Sequence, residues 1–128
     1  MSEINTFEDL EVWKRSCQLA VDVCVATQDS RDYALKDQMQ RAAISVPSNI
    51  AEGCERDSTQ EFIRFLRISK GSCGELRTQL YISERVRQRI GQPPIEGSRP
   101  MISETKEISK MLQGLINSLK RRIADSSH

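Results

Sequence analysis

Arg41, Ser45, Asn49 and Glu52 recur at steps of four, four and three along the segment QMQRAAISVPSNIAEG, Gln38 to Gly53. That spacing stacks them on one flank of a helix. A guanidinium, a hydroxyl, an amide and a carboxylate on one edge are groups from which an acid–base site is built. Catalysis there also needs a nucleophile, a base and a group that orients the base. The only histidine is His128, at the far C-terminal end, and no companion constellation shares a face with this edge. The four residues are therefore expected to form a structural polar seam, with Glu52 pairing with Arg41, and no catalytic residue is assigned. The cysteines lead to the same conclusion. Cys17, Cys24, Cys54 and Cys73 contain no CxxC pair, so neither a zinc site nor a redox motif assembles at normal spacing. Reduced thiols, with Cys17 and Cys73 in the core, are expected, and no metal, cofactor or small-molecule substrate.

Cations offer a different chemistry. Arg64, Arg67, Lys70, Arg77, Arg85 and Arg89 all lie off the apolar seam of their segment, forming a long strip that would attract phosphates. The overall charge of +1 hides an asymmetry: residues 1–37 carry four bases and eight acids, net −4, whereas residues 58–90 carry seven bases and three acids, net +4. The competing reading of the strip is a solvated face, or one neutralised by the acidic first helix of a neighbouring copy. No aromatic residue interleaves with the cations as a base-stacking platform requires.

These groups need helices to carry them. Composition (38% hydrophobic, 29% charged, few aromatics) fits a helical, soluble chain of 128 residues, one domain's worth. The start, MSEINTFEDL, is acidic rather than basic, and no apolar run approaches the roughly 20 residues of a membrane span. A cytoplasmic protein without membrane contact is expected.

Helices are expected at about residues 7–27, 34–52, 59–90 and 101–124. In the first, Leu10, Trp13, Cys17, Ala20 and Cys24 form one apolar stripe and Val12, Leu19 and Val23 a second, wider than one packing partner requires. In the second, Leu35, Met39, Ala42, Ala43, Val46 and Ile50 make a core face interrupted by Pro47. That proline costs roughly 3 kcal/mol in an unadapted helix, which Ser45, Ser48 and Asn49 are placed to offset. Gly53 is read as a left-handed cap.

Ser58 with Glu61 opens the third helix as a capping box. Leu66, Ser69, Cys73, Leu76, Leu80 and Ser83 then step by four and three as a bundle seam. GQPPIEGSRP, Gly91 to Pro100, breaks the chain, and Ile108, Leu112, Leu115 or Ile116, Leu119 and Ile123 mark the fourth helix. With no strand-like alternation, the fold class is all-α, an antiparallel up-down-up-down four-helix bundle.

Four segments together resemble one family. FEDLEVWKRS, QMQRAAISVPSNIAEG, RFLRISKGSCGELRTQL and MLQGLINSLK are similar to the four helix bundle proteins first known from intervening sequences in bacterial 23S ribosomal RNA genes. The resemblance implies a small bundle assembling into a ring-like homopentamer, with no established activity. Its distant relatives include the accessory variability protein of diversity-generating retroelements, which binds a reverse transcriptase and nucleic acid, so RNA or a reverse-transcriptase-like protein is a candidate partner. Independently of the resemblance, Gly71 and Gly74 on an outer helix face, Ile44 on the back of the second helix, and Val12, Leu19 and Val23 are expected to form an interface between copies. The function expected is a non-enzymatic oligomeric scaffold or binding protein; the alternative is a purely structural interaction module without nucleic acid.

Overall fold

The computed structural model of the chain describes residues 6–126. A 3-10 turn at Phe7–Asp9 precedes four α-helices, α1 (Glu11–Thr27), α2 (Tyr33–Cys54), α3 (Thr59–Arg89) and α4 (Ser98–Ser126). No strand occurs among the described residues. Side-chain bonds between helices fix their directions. Ser45 of α2 meets Ser72 of α3 while Val46 meets Ser69; Lys70, Arg77 and Glu84 of α3 meet Gln113, Thr105 and Ser98 of α4. In both series one number rises as the other falls, so the pairs run antiparallel. Each helix packs on its neighbours in sequence and α1 closes on α4, whereas the diagonal pairs make no close backbone approach. The result is an up-down-up-down bundle. Its centre is filled by Leu19, Ile50, Leu66, Leu76, Ile108 and Leu112, each essentially inaccessible.

Local chemistry sets the helix ends. Asp32 accepts the Leu35 N–H at 3.3 Å to start α2, and Ser58 accepts the Glu61 N–H at 3.2 Å to start α3. The expected capping box is only half made, because the Glu61 carboxylate turns to Arg64 at 2.8 Å. At the end of α3 the Gln92 N–H bonds the Arg87 carbonyl and the Gly91 N–H bonds that of Gln88, with Gly91 at φ 74°. This is a Schellman ending, and it needs glycine at that residue. α4 begins at Ser98, earlier than expected, with Pro100 in its first turn. The first expected helix is interrupted: Leu10 is extended (φ −80°, ψ 120°), separating the 3-10 turn from α1.

Three expectations change here. On α1 the second apolar row is the deeper one, with Ala20 the one member of the first row buried beside it. Val12, Leu19 and Val23 are buried in the chain's own core, so they are not available as surface between copies, whereas Leu10, Trp13, Cys17 and Cys24 are only half-buried. The reason is position: α1 sits in a corner between α2 and α4, and the row aimed into that corner is the buried one. Cys17 is thus not a core residue, although Cys73 is.

Gly53, secondly, is not a left-handed cap. Positive φ among the described residues occurs only at Gly91 and Gly97, and α2 continues through Gly53 to Cys54. A Cβ on Gly53 would lie 2.7 Å from the Phe65 Cβ and 3.2 Å from the Phe62 carbonyl oxygen. Glycine is required because α3 crosses α2 there at backbone distance.

The polar seam, thirdly, has different members. Ser45 Oγ lies 2.9 Å from Ser72 Oγ, and Asn49 Nδ2 donates to Ser45 Oγ at 2.8 Å and to the Ser45 carbonyl at 2.9 Å. Ser69 donates to the Val46 carbonyl at 2.8 Å. The bonds of Ser72 and Ser69 tie the turn around Pro47 to α3, which supports α2 where the proline interrupts it. Arg41 and Glu52 stand outside the seam, exposed; Glu52 pairs with Arg56 at 2.6 Å rather than with Arg41. A step of four from Arg56 matches the rise of one turn, whereas Arg41 is three turns away. Ser48 is exposed as well.

Gly53→Ala should lower stability in urea unfolding by about 1–3 kcal/mol, despite the roughly 1 kcal/mol that alanine gains over glycine inside a helix; a stabilised variant would refute the close crossing. Asn49→Ala and Ser69→Ala should each cost about 1 kcal/mol in the same measurement, while Arg41→Ala and Glu52→Ala should stay within about 0.5 kcal/mol.

Candidate nucleic-acid interface

The six cations of α3 separate into three groups once α4 is packed beside them. Lys70 Nζ donates to Gln113 Oε1 at 2.7 Å and Arg77 Nε to Thr105 Oγ1 at 3.0 Å, so both reach across the junction with α4. They belong to the α3/α4 rim rather than to the crest of α3. Arg64 is bidentate to Glu61 and stacks over the Phe65 ring at 4.5 Å. This pairing raises the Arg64 pKa and lowers that of Glu61. Arg67, Arg85 and Arg89 are exposed and have no partner among the described residues. The strip is therefore not one uniform row.

Sequence reasoning missed the contribution of α4. Arg99, Lys106, Gln113 and Lys120 follow one another at intervals of seven, which returns each to nearly the same face. Gln113 contacts Lys70, so that face is the one bordering α3. Lys106 and Lys120 are exposed there. The seven-residue interval was the available signal, but only the packing says which neighbour it borders.

Acids are turned away from this rim or already engaged. Glu84, with a side chain only 12% exposed, bonds Arg99 at 2.9 Å and accepts from Ser98 at 2.8 Å. Glu104 faces the other side, held in a two-bond pair by Arg15 of α1, and that hydrogen bond raises the Arg15 pKa. Glu107 lies 3.7 Å from Lys110. A cationic rim on the α3 side of α4 and a carboxylate-bearing edge on its α1 side result.

The outer surface of α3 also carries apolar groups. Ile68, Ile82 and Val86 are 41%, 46% and 40% exposed. By helical angle Ile68 and Val86 lie on the α2 side of the outer face, Ile82 shares the line of Arg64 five turns before it, and Arg67, Lys70, Arg77 and Arg85 lie nearer α4. Ile44 of α2 is 49% exposed. An added Cβ would meet nothing within 4 Å at either Gly71 or Gly74.

Nucleophilic chemistry has little support. Burial pushes the Cys17 and Cys54 thiols up, and that of Cys73 up to about 11, so thiolate is scarce at neutral pH. Among the described residues no group of three His, Cys, Asp or Glu side chains is placed to hold a metal, and no helix is long and apolar enough to cross a membrane. His128 lies outside the described residues.

Comparison with known proteins is consistent with this architecture. A crystal structure of a protein of unknown function from the S23 ribosomal protein family of Bacteroides thetaiotaomicron superposes with a TM-score of 0.73 at 22% identity, covering 82% of this chain and 97% of the other. At that identity the likeness speaks for the fold. No curated protein matches the sequence. The family model described as 23S rRNA-intervening sequence protein matches residues 8–114, a span that takes in α1, α2, α3 and most of α4. This chain therefore belongs to the 23S rRNA-intervening sequence protein family.

Proposed function

We propose that this chain is a non-catalytic binding module whose α3/α4 face takes the phosphate backbone of RNA. The observation that carries the reading is the convergence of cations from two helices on one rim. Lys70 and Arg77 reach over from α3, Lys106 and Lys120 stand at seven-residue spacing on α4, and Arg67 and Arg85 flank them with no carboxylate partner. Along α4 the two lysines are about 21 Å apart, and along α3 the two arginines about 27 Å, from the rise of 1.5 Å per residue. Rows of that length follow a nucleic-acid backbone, and contacts to phosphates position a duplex or folded strand without reading its sequence. With no aromatic platform on this face, binding is expected to be tolerant of sequence and sensitive to salt.

A second reading, self-association, has its own support. Ile68, Ile82 and Val86 are exposed aliphatic groups on the outer face of α3, Ile44 is exposed on the back of α2, and the space outside Gly71 is open. The acid-rich first third and base-rich third helix of different copies would attract. Copies meeting through these surfaces would form a closed ring, a pentamer on the family resemblance. A scaffold that presents several cation rims at once is the function the two readings make together.

Binding of a fluorescent structured RNA across a salt series tests the first reading. The affinity should fall steeply with salt, and Arg67→Glu with Lys106→Glu should weaken it for all sequences while flattening the salt slope by about 1 per lost cation; no binding at low salt would remove it. Sedimentation tests the second. Gly71→Leu should reduce the assembled mass, whereas in a monomer Gly71→Ala would only add stability, up to about 1 kcal/mol.

A further inference from the structure

The core of this bundle contains seven buried hydroxyl residues, and six of them have partners. Ser16, Thr27 and Thr105 bond carbonyls of their own helices, while Ser69, Ser72 and Ser98 bond across helices. Ser83 is the exception. Only 4% exposed, it makes no hydrogen bond among the described residues. Its oxygen is not fully enclosed, so the hydroxyl opens onto the space beside it with a hydrogen bond to offer. One turn earlier, Gln79 Oε1 is fully buried without a partner among the described residues.

Ser83 lines a cavity of about 340 Å³ at the end of the bundle where α1 ends, α2 begins and α3 ends. Leu35, Met39, Val86 and Ile95 supply an apolar wall. Three cations stand around it: Arg31 from the α1–α2 connection, Lys36 from α2 and Arg87 from α3. Lys36 is steadied by the Gln28 carbonyl at 2.7 Å and Arg87 by the Pro93 carbonyl at 3.2 Å, so their side chains are fixed there without being neutralised. Asp32, the one acid on the wall, is engaged in capping α2. The volume lies at the lower end of the range of about 300–1,000 Å³ typical of ligand sites, and an apolar wall with a few convergent polar groups is their usual composition.

The geometry points to a binding site for a small amphipathic carboxylate. Its anionic oxygen would accept the Ser83 hydroxyl and pair with Arg87, Arg31 and Lys36. Its apolar body would lie against Leu35, Met39, Val86 and Ile95. The inference is independent of the RNA-binding face, which lies along the α3/α4 rim, and each can fail without the other.

Octanoate is a suitable probe, with n-octanol as its neutral counterpart and inorganic phosphate as its charge without an apolar body. Calorimetry and thermal unfolding of the whole chain should show one saturable octanoate site, with octanol and phosphate each weaker by about tenfold or more, a difference of about 1.4 kcal/mol. Ser83→Ala should weaken octanoate by a similar factor while leaving the unfolding temperature of the unliganded protein about unchanged, since no hydrogen bond within the protein is lost. Arg31→Gln with Arg87→Gln, both on the cavity's outer wall, should weaken octanoate but not octanol. Absence of saturable octanoate binding, equal binding of octanol, or unchanged affinity in both variants would overturn the assignment.

Discussion

The crossing of α2 and α3 is the constraint from which the other positions follow. At Gly53 the two backbones approach so closely that only a hydrogen fits between them and the Phe62–Phe65 turn. Four turns of α2 then run beside α3, and the Ser45–Ser72 and Ser69–Val46 bonds allow one register. Each such bond contributes only about 1 kcal/mol net, far less than the apolar core. Their effect is directional: an apolar face tolerates sliding by a turn, whereas a buried hydroxyl must find its acceptor. Pro47 belongs to the same device, because it weakens α2 as a free-standing helix at the level where α3 supports it.

With that register set, the charges of α3 are sorted by which neighbour they reach. Residues seven apart, Lys70, Arg77 and Glu84, all extend to α4 and all find an oxygen or hydroxyl there. The same rotation directs Ile68 and Val86 toward the α2 side and leaves Ile82 on the outer face. Arg15 holds Glu104 on the opposite edge of α4. A chain of net charge +1 thus presents a cationic rim and a separate acidic edge. Such separation acts on partners through local potential, for which net charge is a poor guide.

Much of this was legible in the sequence because the period of a helix is visible in one dimension. Met39 to Ile50, Leu66 to Ser83 and Ile108 to Leu119 read as core faces and are core faces. What failed were questions whose answer lies in a neighbour. α1 carries two apolar rows, and only its corner position decides that Val12, Leu19 and Val23 are the buried one. A glycine near a helix end serves a left-handed cap or a close crossing equally well; Phe62 and Phe65, nine and twelve residues on, decide for Gly53. Lys70 and Arg77 sit off the seam on any wheel, yet a wheel does not say that α4 will lie within reach. The end cavity was out of view for the same reason, being assembled from the ends of three helices.

The neighbouring apolar and cationic strips of α3 bear on how the two functional readings combine. If both occupied one face, assembly would cover the cations and the readings would compete. Ile68 and Val86 instead lie toward α2 and Ile82 on the outer face beside them, while Arg67, Lys70, Arg77 and Arg85 lie nearer α4. Copies joined through the aliphatic strip would leave each rim open, and a ring would repeat it around an axis. A single rim with a handful of phosphate contacts binds weakly at physiological salt. Several rims on one rigid body turn the second and later contacts into intramolecular events, and avidity then rises by orders of magnitude without any new kind of contact. On this geometry a weak, sequence-tolerant face suffices for a scaffold, provided that the interface forming the assembly is not the one that touches the nucleic acid.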